Sequence, residues 1–306
     1  MPPLSDSGGV AAALHMKAAW YERQGPARDV LVVGEMDDPS PAPGEVRIRI
    51  AASGINPGDI KKRNDTFGYG MSYPRVIPHS DGAGVIDKVG DGVSDENLGR
   101  RVWCFGAQSY RPFGTAAELT TVPLHNAVPL PDGVPFKAGA CLGIPGITAH
   151  RAVHVAGDLR GKRVLVHGAR GAVGTLAVLF AGRAGATIVQ EGADHIVTAD
   201  FATCPFDTLA PNGSIAAYAT SDAHPTIPFW PLLFQNARLY LLGSDDFPLE
   251  AKLSAARELN AMLAEGWEGP RIARTFPLGE IALAHEAVES GDVRGRVVLS
   301  VPARPG

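Results

Sequence analysis

The sequence predicts an α/β protein of two units, a β-rich unit followed by one built on a doubly wound parallel sheet, and three observations carry that reading. Short runs in the first half alternate apolar and polar residues at period two. Near Gly143 the pattern changes to helical spacing and buried apolar runs. A glycine-rich turn then joins a buried strand to a helix after Val166. The length of 306 residues suits about two domains, and 45% hydrophobic with 20% charged residues excludes disordered and fibrous classes. With 36 glycines, many tight turns are expected.

Residues 1–15 are small and polar, without the apolar core of a secretory signal or the pattern of a transit peptide. They read as a tag or disordered leader, with Met16 as the natural start. Residues 45–50 alternate strictly, and residues 84–89 and 99–104 are similar. Such strands have one wet face and suit a partly open barrel or sandwich. Pro123, Pro129, Pro131 and Pro135 punctuate a connection. Residues 147–155 then show helical spacing, and residues 162–167 read as a buried parallel strand. A helix carrying Val173, Leu176, Ala177 and Phe180 and a strand at 186–189 complete a βαβ unit.

The next step does not fit. Only five residues separate Val189 from the strand-like His195, Ile196 and Val197, whereas a parallel crossover takes a dozen or more. Either these strands do not belong to consecutive βαβ units, or a segment has dropped out near 190–191. Further strands are expected at 213–218 and 237–243, then a helix at 249–266. The tail, 271–301, reads as strand, helix, strand.

Charge and cysteine content narrow the partners. The 28 Lys and Arg against 32 Asp and Glu give a net charge of −4 with no dense basic run, which excludes nucleic acid as the principal partner. The longest apolar, nearly uncharged stretch, 171–182, is far short of the roughly 20 residues a bilayer span needs, so no membrane partner is expected. Cys104, Cys141 and Cys204 are scattered without CxxC pairing, which argues for a reducing, cytoplasmic setting without a disulfide scaffold or structural zinc lobe.

Gly168, Gly171 and Gly174 follow a strand and open a helix. Gly168 allows a tight turn, Gly171 lets backbone approach a pyrophosphate, and Gly174 lets the helix lie close, with free amides and the helix dipole facing the phosphates. The spacing is GxxGxxG rather than GxGxxG. The competing reading is a plain βα turn with packing glycines.

Residues 164–175 resemble the nucleotide-binding turn of the zinc-independent quinone oxidoreductase branch of the medium-chain dehydrogenase/reductases. So do residues 54–59 followed by Arg63, and residues 78–84, 146–150 and 291–299, in the family's order. The resemblance implies a GroES-like catalytic domain from 16–142 and 271–306, around a Rossmann domain at 143–270. It implies hydride transfer from NADPH to a quinone or α,β-unsaturated carbonyl in a cleft between the lobes, and a homodimer. The zinc-ligand positions of the alcohol dehydrogenase branch match Asn56, Ser80 and Ile144, which cannot make that site, so no metal is expected. The alternative is a catalytically silent NADPH-binding or structural protein on the same scaffold.

By the same resemblance the catalytic candidates are Asn56, Arg63 and Tyr69. The cofactor-binding candidates are Asn56, Thr148, Gly168, Arg170, Gly171, Ala172, Val173, Gly174, Tyr218, Gly243 and Ser244. Each has a plainer reading: Asn56 as a turn residue before Pro57, Thr148 as a hydroxyl bonded to its own helix, Tyr218 as core. Asp59 and Arg63, four apart, suit a structural ion pair on one helical turn. His79 tempts as a proton donor but reads better as a hydrogen-bonded structural residue; His150, His167, Cys104 and Cys141 read as packing, and Tyr73 joins Tyr69 on a loop near the cleft. Glu191 lies where an acid signals NAD. The crossover failure argues against that assignment, because the loop that selects NADP over NAD falls in the missing stretch.

Overall fold

The computed structural model describes residues 15–302. The leader at 1–14 lies outside the described residues, but His15 does not belong with it: it opens the first strand, opposite Asp37. The first unit contains β1 (His15–Trp20), α1 (Ala27–Val30), β2 (Val32–Asp37), β3 (Glu45–Gly54), α2 (Pro57–Arg63), β4 (Asp81–Val89), β5 (Arg101–Cys104), β6 (Leu119–Pro123), β7 (Ala127–Pro129) and the short α3 (Phe136–Gly139). The second contains α4 (Gly143–His154), β8 (Arg163–His167), α5 (Ala172–Arg183), β9 (Thr187–Ile188), β10 (Ala193–Thr198), β11 (Leu209–Ala217), α6 (Phe229–Phe234), β12 (Arg238–Leu241) and α7 (Leu249–Ala264). The tail adds β13 (Ile272–Pro277), α8 (Ile281–Glu289) and β14 (Arg296–Ser300).

The alternation in β3 is real. Val46, Ile48 and Ile50 point inward against Ile86 and Val102, while Glu45, Arg47 and Arg49 face outward. The large sheet runs β13-β14-β3-β4-β5-β7, with β6 also on β3, and is antiparallel except for β13 on β14. Because Val298 pairs with Gly54, the tail is part of the first unit's sheet.

The second sheet is entirely parallel, in the order β12-β11-β10-β8-β9. Val164, Leu165 and Val166 are all buried, as expected of a strand covered on both faces. The crossover anomaly resolves here. β9 and β10 flank β8 on opposite sides, with Ile188 and His195 both opposite Val164. The chain is continuous, and residues 189–192 alone carry it past β8, beside the Arg163 side chain, whose guanidinium holds Asp194. The sheet therefore lacks the strand and helices that a full doubly wound half would place beyond β9, whose own two residues are exposed. Cys104, Cys141 and Cys204 are all buried and free.

A buried chain of hydrogen bonds ties α8 to the first unit. Thr115 Oγ1 donates to the Asp81 carbonyl at 2.6 Å, so Ser53 Oγ, 2.7 Å away, must donate to Thr115. Ser53 has then used its one proton, and His79 Nδ1–H donates to it at 2.8 Å. His79 Nε2 is thereby the acceptor for His285 Nε2–H, also at 2.8 Å. His79 is held at φ 77° in the left-handed region, and both rings are buried, so its structural reading stands.

Burial holds His79 down to about 3 and His285 well below the ordinary histidine range. The unfolded chain takes up these protons below about pH 6.5 and the native state does not, so this stability is present above that pH and is lost as pH falls. Asp81 and Asp59, pushed up by burial to about 7 and about 6, act in the opposite sense. Comparing variant with wild type isolates the histidine. In His285→Gln, the fall in unfolding free energy between pH 7 and 5, read from urea melts, is expected to be shallower by about 2 kcal/mol over that whole interval. An unchanged slope would refute the assignment.

Candidate active site

The glycine turn lies at the carboxyl edge of the parallel sheet. It sits where the chain leaves β8 for β9 on one side while β10 lies on the other, the switch point at which open α/β sheets take ligands. Gly168 has φ 88°, and a Cβ there would lie 2.6 Å from Ala199 Cβ. At Gly174 a Cβ would stand 2.1 Å from the Gly168 carbonyl oxygen, so α5 can lie on the turn only without one. Gly171 caps α5 in an extended conformation, and the first intrahelical bond, Thr175 N–H to its carbonyl, leaves the amides of Ala172, Val173 and Gly174 without intrahelical partners. Gly168 through Ala172, with Arg170 among them, are exposed. The cradle fits a dinucleotide pyrophosphate.

Across the interlobe contact lies a buried polar knot. Asp81, at the start of β4, accepts from Asn56 Nδ2 at 2.7 Å and from the Ile144 amide at the start of α4 at 2.8 Å. Asn56 Oδ1 in turn accepts from Arg296 Nη2 at 2.8 Å. Burial raises the Asp81 carboxyl, while the Asn56 amide and the nearby Arg296 charge pull it back. Asp59 closes the first turn of α2 by accepting from the Asn56 backbone N–H at 2.7 Å.

These contacts correct two expectations. The Asn56 amide is not held out to a cofactor or substrate: it is buried, with its oxygen and nitrogen both bound within the protein. Arg63 is not at the cleft. Its guanidinium is fully buried, 2.5 Å from Glu289 and 2.6 Å from the Gly25 carbonyl, so it pins α2 to the end of α8. The Asp59–Arg63 pair does not form either, since each group is taken by another partner.

Thr148 is buried on α4. Tyr69 is exposed and stacks on Phe67, with ring centroids 6.1 Å apart. Tyr218, half-buried, follows β11, and Gly243 and Ser244 follow β12, so all three stand at the same sheet edge as the glycine turn. Glu191 is exposed in the short link.

Several residues of the site escaped sequence reasoning. Asp81 and Arg296 sit inside segments that carried the family resemblance, and an acid and an arginine opening apolar strands were the available signals. Asp245 had none. It bridges the lobes, accepting from Lys62 Nζ at 3.2 Å and from Ser109 Oγ at 2.5 Å, while Tyr110 Oη donates to neighbouring Asp246 at 2.8 Å.

A β-rich lobe completed by the chain's tail, joined to a parallel sheet with a phosphate-type turn, defines a two-lobe nicotinamide-dependent oxidoreductase scaffold. Residues 42–132 match the alcohol dehydrogenase GroES-like domain family, and residues 177–299 match the family described as zinc-binding dehydrogenase. The chain is 31% identical to the quinone oxidoreductase of Rattus norvegicus over 304 residues, taking in 85% of this chain and 90% of that one. It belongs to the medium-chain dehydrogenase/reductase superfamily. The fold is shared with an alcohol dehydrogenase superfamily protein from Novosphingobium aromaticivorans, at TM-score 0.83 and 24% identity, covering 94% of this chain and all of that one. It is also shared with a mycobacterial protein complexed with NADPH, at TM-score 0.78 and 22% identity, covering 93% of this chain and 99% of that one.

Asn56, Ser80 and Ile144 do not offer a ligand set for zinc. Asn56 is committed to Asp81 and Arg296, Ser80 is a buried hydroxyl, and Ile144 has no donor side chain.

The Gly174 contact yields a direct test. Gly174→Ala forces backbone apart at the turn, and is expected to weaken binding of a reduced nicotinamide dinucleotide at least tenfold in a fluorescence titration. It should also cost about 1–3 kcal/mol of stability. Unaltered cofactor binding would sink the assignment of the turn.

Proposed function

We propose that the protein is an NADPH-dependent reductase that delivers hydride to a quinone or an α,β-unsaturated carbonyl without zinc. The observation that carries this is the pairing of an exposed, amide-lined glycine turn with a cleft wall from which thiolate and imidazole zinc ligands are missing. A conjugated acceptor suits such a site because the charge arriving with hydride spreads through the acceptor's own π-system, which lessens the need for a Lewis acid.

When bound, NADPH supplies the hydride. The amides of Ala172, Val173 and Gly174 and the positive end of α5 receive the pyrophosphate, with Arg170 beside them adding charge. Thr148 and the sheet-edge residues Tyr218, Gly243 and Ser244 orient the nicotinamide half. Asn56 acts behind the site by fixing Asp81 and Arg296. Tyr69, with Phe67, offers an aromatic face to a planar acceptor. The single proton that completes the reduction after hydride delivery comes from water.

The test is NADPH oxidation with a panel of quinones and enones, before and after chelator treatment. Saturable turnover that survives chelation is expected. No turnover with any acceptor at saturating NADPH would overturn the proposal in favour of a silent cofactor-binding protein.

A second copy of the chain is the proposed protein partner. β12 is the outer strand of its sheet, and Leu241, Trp230 and Phe234, on it and on the preceding helix, are largely exposed. Light scattering is expected to give twice the chain mass, and a monomer at micromolar concentration would count against it.

A further inference from the structure

The helix α4 that meets Asp81 at one end carries an unrelated cluster at the other. His150 and His154 lie one helical turn apart, with ring centroids 4.5 Å from each other, and Glu258 reaches them from α7. Glu258 Oε2 is 3.2 Å from His150 Nε2 and 3.9 Å from His154 Nε2, and the three ligand atoms all fall within 4.8 Å of one another. Ligand atoms about 2.0–2.2 Å from a tetrahedral Zn²⁺ stand a little over 3 Å apart. Of the three pairs, one already has that spacing, one stands at 3.9 Å and the two histidine nitrogens lie within 4.8 Å, so binding draws the half-exposed His154 inward.

Three further features prepare the donors. His154 Nε2 is buried and has no hydrogen-bond partner, a state that costs desolvation with nothing in return. Glu258 Oε1 is held by Arg183 Nε at 3.2 Å, which fixes the carboxylate and leaves Oε2 turned to the histidines. The His150 ring sits edge-on against Phe180, with centroids 5.3 Å apart, which fixes its orientation. Beside the two rings a surface cavity of about 340 Å³, bordered by Arg151, Pro248 and Glu250, gives room for a further ligand such as water.

We propose that His150, His154 and Glu258 bind one divalent transition-metal cation, with Zn²⁺ the best match, in a site separate from the interlobe crevice. Two imidazoles and one carboxylate suit Zn²⁺, Co²⁺ or Ni²⁺, whereas Mg²⁺ and Ca²⁺ require mostly oxygen ligands. The bound cation would staple α4 to α7 across the helical layer of the second unit. The three cysteines do not compete, because all are buried.

The test uses the intact protein after chelator treatment and dialysis. Titration calorimetry with Zn²⁺ is expected to show one equivalent bound, Co²⁺ should give the d–d absorption of a low-coordinate site, and Mg²⁺ should give no heat. Zn²⁺ should raise the melting temperature. His154→Ala and, separately, Glu258→Gln should each lower Zn²⁺ affinity at least tenfold and remove the thermal shift. His154→Ala removes a side chain that makes no hydrogen bond from its Nε2, and a wild-type circular dichroism spectrum would confirm that it folds. Absence of binding to the wild type, or equal binding by both folded variants, would overturn the proposal. Reductase turnover is a separate readout, so failure of the cation site and failure of the proposed activity can be told apart.

Discussion

The structure depends on one carboxyl group taken out of water. Asp81 is fully buried, and a buried carboxyl is tolerated only where hydrogen-bond donors meet it. Its donors come from far apart in the chain: the Asn56 amide at the head of α2 and the Ile144 N–H at the head of α4, with Arg296 of the tail reaching Asn56 from behind. One acid thereby fastens the first unit, its returning tail and the first helix of the second unit. The same knot explains why Asn56 is unavailable as a reacting group. Arg296, itself buried and without a direct carboxylate contact, is balanced through space by Asp81 and Asp59.

The parallel sheet achieves the switch-point geometry with unusual economy. A full doubly wound half places a third strand outside the second, which requires a long crossover. Here residues 189–192 return directly past β8, and β9 is left as a two-residue edge. The glycine turn proposed to meet phosphate is intact because it depends only on β8, α5 and the neighbouring β10.

Much of this was legible in the sequence. The period-two alternation of β3 and the continuous apolar run of β8 each reflect a local environment, one wet face or none, and the structure reproduces both. The turn was legible because glycine is demanded by backbone collisions at Gly168 and Gly174 that are short-range in the chain. Long-range pairing was not. Arg63 looked like a partner for Asp59 four residues away, yet the guanidinium found Glu289, 226 positions on. His150 looked like packing, and it does pack, but its meeting with Glu258 exists only once α4 and α7 lie together. Asp245 belongs to a loop whose importance comes from the opposite lobe.

The buried thiols bear on the proposed reduction of electrophilic acceptors. Burial pushes Cys104 and Cys204 up to about 12 and raises Cys141 as well, so none presents a thiolate at neutral pH. Quinones and enones alkylate thiolates by conjugate addition. With its sulfur both sheltered and protonated, the protein would be shielded from arylation by acceptors of the proposed kind.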